Sequence, residues 1–379
     1  MAAPKAIPVG RLTAGNFVAE CTPDRLVYFL VNVGDGDTQL ILLPEHEGVR
    51  SLLVVDVATT HKLPALIAAL QAHAVIGGDH PRIALVAATH PHNDHIGGMP
   101  ELLNTYFAGI TEFWDSGFYY TTQSYFDMMA AIDTHAIPYA QPTSGMTRWV
   151  GNVKIEALSP SIRLRNSFDT YGVDPNNASI VLRLEFPAAW VVAKTDDGGT
   201  KREYVRLQGK TQRLILGGDA QTRAWGNVIE DFPELVKNPS PAFDALRMAL
   251  GDDALHAQVF KVSHHGSKHG VNLELIERIA PGISLVSSVA QGGEYNFPHL
   301  LAQEALREGV QPVASQIVPD RKDDCDLGIH YTSVLDDADP AQPLGTIGVI
   351  VPPTGRPQVW RFGDTPRDTI ALDQARRFA

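Results

Sequence analysis

The sequence predicts a layered domain of the α/β or α+β class with a large sheet content. Short apolar, β-branched runs recur along the chain, and segments with apolar residues at helical spacing lie between several of them. Several of the runs also stop at an aspartate or a histidine.

In order along the chain, VYFLVNV (27–33) and TQLILL (38–43) read as two strands joined by a tight turn at GDGD. SLLVVDV (51–57) is a strand, KLPALIAALQAH (62–73) a helix, and RIALVAA (82–88) a buried strand. Between Pro100 and Asn177 the pattern is weaker: an aromatic piece FWDSGFYY (113–120), a helix over 124–135 and a strand pair within 148–158. Strands are then expected at 178–186, 213–219, 257–265, 283–288 and 346–351, with helices over 221–232, 273–280 and 300–309. The final pair, TIGVIVPP and QVWRFG, is expected to extend the sheet or to cover the site.

The 379 residues are read as one domain, 1–379, with an elaborated region at about 100–175 and a C-terminal extension at about 306–379. Hydrophobic content of 44% and charged content of 20% suit a globular chain with a sizeable core. The N-terminal stretch lacks the continuous apolar core of a signal peptide, and no run of about 18 apolar residues occurs, so a cytoplasmic protein with no membrane partner is expected. Cys21 and Cys325 stand far apart and in no metal-type spacing, so any metal is held by nitrogen and oxygen. The net charge of −12 argues against tight nonspecific nucleic-acid binding, but bound divalent cations would supply positive charge that this count omits.

The strand ends carry the chemistry. Asp56 ends one run, His90 and His92 follow another, Asp219 a third, and His264 with His265 a fourth. Side chains at strand ends are rigidly placed and partly exposed, so groups from separate strands converge at a sheet edge. THPHNDHIGG (89–98) has its own logic. In extended backbone, residues two apart point the same way, so His90 and His92 chelate one ion, and a turn brings Asp94 and His95 to a neighbouring position. Two such groups suggest two metals, with a carboxylate such as Asp219 available to bridge. Gly97 and Gly98 are expected where the chain turns into a helix and its backbone passes close to the ions.

THPHNDHIGG resembles the THxHxDHxGG signature of the metallo-β-lactamase superfamily. VGDGDTQLIL (33–42), NNASIVL (176–182), LILGGD (214–219), KVSHHGS (261–267) and SSVAQGGEYNFPH (287–299) resemble, in order, the motifs of the ComEC-type metallo-hydrolase domain in its free-standing form. The resemblance runs from about residue 27 to 305. It implies an α+β fold, the four-layer αββα sandwich, with two divalent ions, zinc or manganese, at the sheet edge and a metal-activated hydroxide as attacking group. Carried over, His90 and His92 hold one ion, Asp94, His95 and His265 the other, and Asp219 bridges them. Asp56 orients ligands from behind, and His264 faces the substrate.

The sequence departs from many superfamily members at one ligand. Between the first motif and Asp219 the only histidine is His135, in IDTHAIPY, away from any glycine-rich strand end. Asn177 is placed near the position this leaves vacant. Asn296 and His299 either hold a phosphoryl oxygen and protonate a leaving group or form a loop-capping polar pair. With Asp94 and His264 they complete the candidate catalytic set.

Hydrolysis of a phosphodiester is the leading expectation, with nucleic acid one candidate substrate and a nucleotide-sized or headgroup-sized diester another. The segment 194–213 carries Lys194, Lys201, Arg202, Arg206, Lys210 and Arg213, either to embrace a backbone with Tyr204 stacking on a base or as a solvated hairpin. The alternatives are hydrolysis of a lactone, thioester or β-lactam, and a noncatalytic metal-binding module.

Overall fold

The computed structural model describes residues 6–7, 12–78, 80–170, 172–188, 190–196, 199–205, 211–234, 253–288, 295–310, 324–336 and 343–378; for 6–7, 190–196, 199–205, 326 and 335–336 the backbone alone is described. Two sheets dominate. A ten-stranded sheet runs in the order Leu12–Ala14, Arg376–Phe378, Gln358–Arg361, Ile347–Val351, Leu26–Leu30, Thr38–Leu42, Leu52–Val57, Ile83–Ala88, Phe113–Asp115 and Tyr139–Ala140. A seven-stranded sheet runs Ile329–Tyr331, Ile283–Val286, Val259–Lys261, Gln212–Leu216, Val181–Phe186, Val153–Ser159 and Thr147–Val150.

Each sheet changes from antiparallel to parallel pairing where helices enter the sequence. Leu52–Val57 pairs in parallel with Ile83–Ala88 because the helix Lys62–Ala72 carries the chain back across the sheet. The helices Met99–Tyr106 and Gln123–Thr134 perform the next two crossovers. In the other sheet, Leu273–Ile279 and Leu300–Val310 lie between its parallel strands.

Alternation along the strands separates three apolar layers. Tyr28, Leu30, Leu53 and Val55 face Ile155, Leu182, Leu214 and Leu216 between the sheets. Val27, Phe29, Val54 and Val86 pack outward on helix residues Leu63, Leu66, Leu102 and Met128. On the far side, Ile215, Phe260 and Val286 pack on Trp225, Leu275, Ile276 and Leu306. Both faces of each sheet are therefore covered, which is why the central strands read as unbroken apolar runs. This is the expected four-layer αββα sandwich.

Some expectations are corrected. GDGD is no tight turn: the paired strands end at Leu30 and resume at Thr38, and residues 31–37 form a loop that lowers Asp37 into the protein. The chain turns into the helix Met99–Tyr106 directly after Gly98, as expected, with Pro100 at its start. Proline fits the first turn, where its missing N–H has no partner to lose. The C-terminal extension joins the sheets: Ile347–Val351 pairs with Leu26–Leu30 along five residues, and Ile329–Tyr331 edges the other sheet. It is also pinned by Lys62, whose buried Nζ donates to Asp364 Oδ2 (2.6 Å), Asp368 O (2.7 Å) and Thr365 O (2.8 Å). Among the described residues no helix is long and apolar enough to cross a membrane.

Candidate metal centre

Residues from both sheets meet at the C-terminal ends of their parallel strands. Asp56 lies in Leu52–Val57; the register pairs Gln39 with Val55 and Thr38 with Val57, so Asp56 is the extra residue of a bulge and takes a φ of 56°. Thr89 to His95 follow Ile83–Ala88, Asp219 follows Gln212–Leu216, and His264 and His265 follow Val259–Lys261. The two last histidines both have positive φ, 50° and 53°. Bulky residues rarely adopt this conformation, and such strain collects at functional sites.

Four donors converge. His95 Nε2 lies 3.3 Å from Asp219 Oδ1 and 3.7 Å from Asp94 Oδ2, and His265 Nε2 lies 3.6 Å from Asp94 Oδ2 and 3.7 Å from Asp219 Oδ2. A tetrahedral ion with bonds of about 2.0–2.1 Å sets its donors about 3.3 Å apart, so the spacing fits one cation. His95 Nε2, Asp219 Oδ1 and His265 Nε2 are buried and have no hydrogen-bond partner among the described residues. Three orphaned polar atoms facing one point would be costly unless a cation satisfied them.

A second group shares Asp219. His90 Nε2 lies 3.0 Å from His92 Nδ1 and 3.9 Å from Asp219 Oδ2, and His264 Nε2 lies 3.7 Å from Asp219 Oδ2. The extended backbone at His92 (φ −72°, ψ 148°) sets the two imidazoles together before the short helix Asn93–Ile96 presents Asp94 and His95. The structure thus gathers all six residues expected as ligands, with Asp219 between the two groups.

Behind the ligands stand acceptors and a buried ion pair. Asp56 accepts from Thr89 N and Thr89 Oγ1, both at 2.7 Å, and meets His95 Nδ1 at 2.8 Å. His265 Nδ1 faces Ser287 O at 3.2 Å. Lys261 donates to Asp37 Oδ2 and to Gly218 O (3.3 Å), and Asp37 N donates to Asp94 O (3.0 Å). Asp37 and Lys261 are wholly buried and were missed in the sequence, although a lysine inside the apolar run VFKVS is a signal, because a buried charge demands a partner. Close backbone contacts call for glycine at 97 and 98. A Cβ on Gly97 would stand 2.8 Å from Ala58 O, and one on Gly98 2.4 Å from Thr59 O, so it is the neighbouring loop that requires glycine.

The electrostatics demand positive charge. Burial opposes a proton on His95, yet the carboxylates of Asp219, Asp56 and Asp94 hold it well above the usual imidazole range. His265 is raised in the same way, against burial, by Asp219, Asp94 and Asp37. Burial pushes Asp219 up, but His95 and His265 outweigh it and hold the carboxyl well below its ordinary value. Burial and the neighbouring His95 keep His90 neutral, as a ligand must be.

The remaining candidates are placed as follows. Asn177 Oδ1 accepts from Ala224 N at 3.0 Å, and its Nδ2 points to Gln221 Oε1 at 3.5 Å. His299 N donates to Gly266 O (2.8 Å) and His299 Nδ1 accepts from Leu301 N (3.2 Å), a capping arrangement. Asn296 has a φ of 57° beside Phe297, whose ring lies 5.1 Å from that of His264 and 6.1 Å from that of His265. Among the described residues no hydrogen bond or ion pair joins the side chain of Asn296 or His299 to the ligands. His135 is half-buried, stacks on Phe107 at 4.2 Å and meets Asn104 Oδ1 at 2.9 Å. Tyr120 sets its ring 5.5 Å from that of His92. Trp190–Asp196 and Gly199–Val205 form an antiparallel hairpin, while Arg206, Lys210, Gly292 and Gly293 lie outside the described residues.

Comparison with known families gives one match: the model of the family described as "Metallo-beta-lactamase superfamily" matches residues 47–153. Curated proteins give no match. Among solved structures, CmlA, a diiron beta-hydroxylase from Streptomyces venezuelae, aligns at 11% identity over 74% of this chain and 47% of its own, with a TM-score of 0.34. The metallo-beta-lactamase fold protein YhfI from Bacillus subtilis aligns at 11% identity over 69% and 86%, with a TM-score of 0.33. A long form RNase Z from yeast aligns at 8% identity over 71% and 38%, with a TM-score of 0.34. The chain spans about half the length of CmlA.

Proposed function

We infer, from a chain that carries a metallo-β-lactamase superfamily domain in the fold of that name, a hydrolase that works with two divalent cations on a phosphodiester. The observation that carries this is the position of Asp219, whose Oδ1 lies 3.3 Å from His95 Nε2 and whose Oδ2 lies 3.7 Å from His265 Nε2 and 3.9 Å from His90 Nε2. A single carboxylate shared by two donor groups is what a pair of adjacent ions requires. His90 and His92 would hold one, Asp94, His95 and His265 the other.

When bound, such ions supply Lewis acidity and make a water acidic enough to deprotonate near neutral pH. The chain's own residues do the rest. Asp56 and Ser287 O hold the outer nitrogens of His95 and His265, fixing the ring planes and leaving Nε2 toward the centre. The Asp94 side chain is 42% exposed, so the centre is open to solvent there. His264 stands 3.7 Å from Asp219, and the rings of Phe297 and Tyr120 lie beside His264 and His92. Zinc and manganese both suit a set of imidazoles and carboxylates.

Phosphodiester hydrolysis is favoured because a shared-carboxylate pair clamps both attacking and leaving oxygens of an in-line displacement. A carbonyl substrate is the second reading, favoured by the apolar Tyr120 and Phe297 rims. Purified protein assayed with added manganese or zinc on a chromogenic phosphodiester, a thioester and a lactone separates them. Turnover of the diester alone supports the first reading, and turnover of the acyl substrates alone overturns it. Bound ions with no turnover of any of the three leave a noncatalytic metal-binding module.

A further inference from the structure

We propose that Asn177 and Gln221 set the tautomer of His264, so that it presents an Nε2–H to the substrate and is a ligand of neither ion. This deepens the hydrolase reading above and rests on it.

The chain of donors starts at a helix N-terminus. Ala224, in the first turn of Thr222–Asp231, has a free N–H that donates to Asn177 Oδ1 at 3.0 Å. Asn177 therefore turns its Nδ2 the other way, toward Gln221 Oε1 at 3.5 Å. Gln221 in turn presents its Nε2 to His264 Nδ1 at 3.2 Å. Reversing the Gln221 amide would set two amide N–H groups against each other. An amide N–H only donates, so His264 Nδ1 accepts, and a neutral imidazole that accepts there carries its hydrogen on Nε2.

Three of the four histidines proposed as ligands show the opposite pattern. His95 Nδ1 faces Asp56 Oδ2 at 2.8 Å, and His265 Nδ1 faces Ser287 O at 3.2 Å. His90 Nδ1 faces Thr89 Oγ1 at 3.2 Å, whose own hydrogen goes to Asp56, so that oxygen accepts. Each of these rings has an acceptor behind Nδ1 and a lone pair on Nε2, as metal ligation demands. His264, unlike these three, has a donor behind it. Its Nε2 lies 3.7 Å from Asp219 Oδ2 and has no hydrogen bond among the described residues, so the N–H is free to meet a substrate oxygen. The left-handed backbone at both residues makes the neighbouring rings diverge, 71° between planes, and Phe297 edges the His264 ring at 5.1 Å, which resists its rotation.

The test uses the full chain, labelled with ¹⁵N-histidine and loaded with diamagnetic zinc, with His264 assigned by its loss in His264→Ala. The expected spectrum shows hydrogen on Nε2 of His264, and Gln221→Glu, which places an acceptor behind the ring, moves it to Nδ1. Zinc content stays the same in the parent, Gln221→Glu and His264→Ala. Turnover of the phosphodiester falls about 10²-fold in both variants, the loss expected for one preorganised donor. Hydrogen on Nδ1 in the parent, or loss of an ion in His264→Ala, overturns the assignment. A chain that takes up no ion overturns the hydrolase reading and with it the substrate role of His264, whereas an Nδ1–H spectrum in a two-ion protein overturns the tautomer alone.

Discussion

Asp56 meets His95 Nδ1 at 2.8 Å while accepting two further hydrogen bonds from Thr89. Three donors thus converge on one buried carboxylate, and an amide in its place would turn an N–H toward at least one of them. Asp56→Asn is therefore expected to leave the fold in place and to weaken divalent-ion binding by about 10–100-fold, the usual loss when a group behind a ligand is removed. Competition with a chromogenic chelator measures this. Unchanged affinity would mean that His95 is oriented by its packing alone.

Asp219 is the more severe case, because both donor groups lean on it. The parent chain is expected to carry about two ions. Asp219→Ala should lose most of them and with them all turnover, as read by elemental analysis after gel filtration. Full retention of metal in that variant would reject the bridging role.

The same carboxylates set the pH dependence of metal uptake. Without an ion, His95 and His265 are held above the ordinary imidazole range by Asp219 and its neighbours, against the effect of burial. An ion must displace those protons, so affinity should fall as pH falls and rise as the imidazoles give up their protons. Calorimetry in buffers of different ionisation enthalpy should show protons released on binding. Uptake without proton release would contradict the charge distribution described for the centre.

Much of this centre was legible in the sequence, for a physical reason. Polar side chains that end or follow strands are separated by apolar runs, and the runs are easily seen, so Asp56, His90, Asp219 and His265 stood out. The supporting residues were hidden because their partners are remote. Lys261 interrupts an apolar run visibly, but Asp37 is 224 positions away, and only the pairing of the two sheets against each other brings them together. Gln221 carries no local mark at all, since its importance lies in what stands on either side of it. In the C-terminal extension, Ile347–Val351 and Gln358–Arg361 were visible as strands, yet where they would join depended on the pairing of Ile347–Val351 with Leu26–Leu30, which no local pattern records.

Lys261 and Asp37 make a prediction about stability rather than chemistry. Both are wholly buried, and Lys261 also holds Gly218 O beneath Asp219. Lys261→Met leaves a buried carboxylate unpaired, which costs about 3–5 kcal/mol. Adding Asp37→Asn removes the stranded charge and should restore part of the loss, a non-additivity expected only for groups in contact. Denaturant midpoints of the two single variants and the double variant test this, and strict additivity would show that the pair is not coupled.

Asp115 gives the chain a second pH response, in the opposite direction to ordinary acid unfolding. It ends the strand Phe113–Asp115, is buried, and accepts from Tyr139 Oη at 2.9 Å and Gly117 N at 3.1 Å. Burial raises its carboxyl from the ordinary 3.8 to about 6, although these hydrogen bonds pull the other way. Between these values the folded chain keeps a proton that the unfolded chain has lost, so the contribution of this group to stability is complete below about pH 4 and is lost as pH rises through about 6. The difference is worth about 3 kcal/mol. Asp115→Asn is neutral at every pH and has no such dependence. Relative to the parent, the variant should therefore gain stability between pH 4 and 7 in denaturant titrations under identical metal conditions, and parallel stability curves for the two proteins would show that Asp115 ionises normally in the fold.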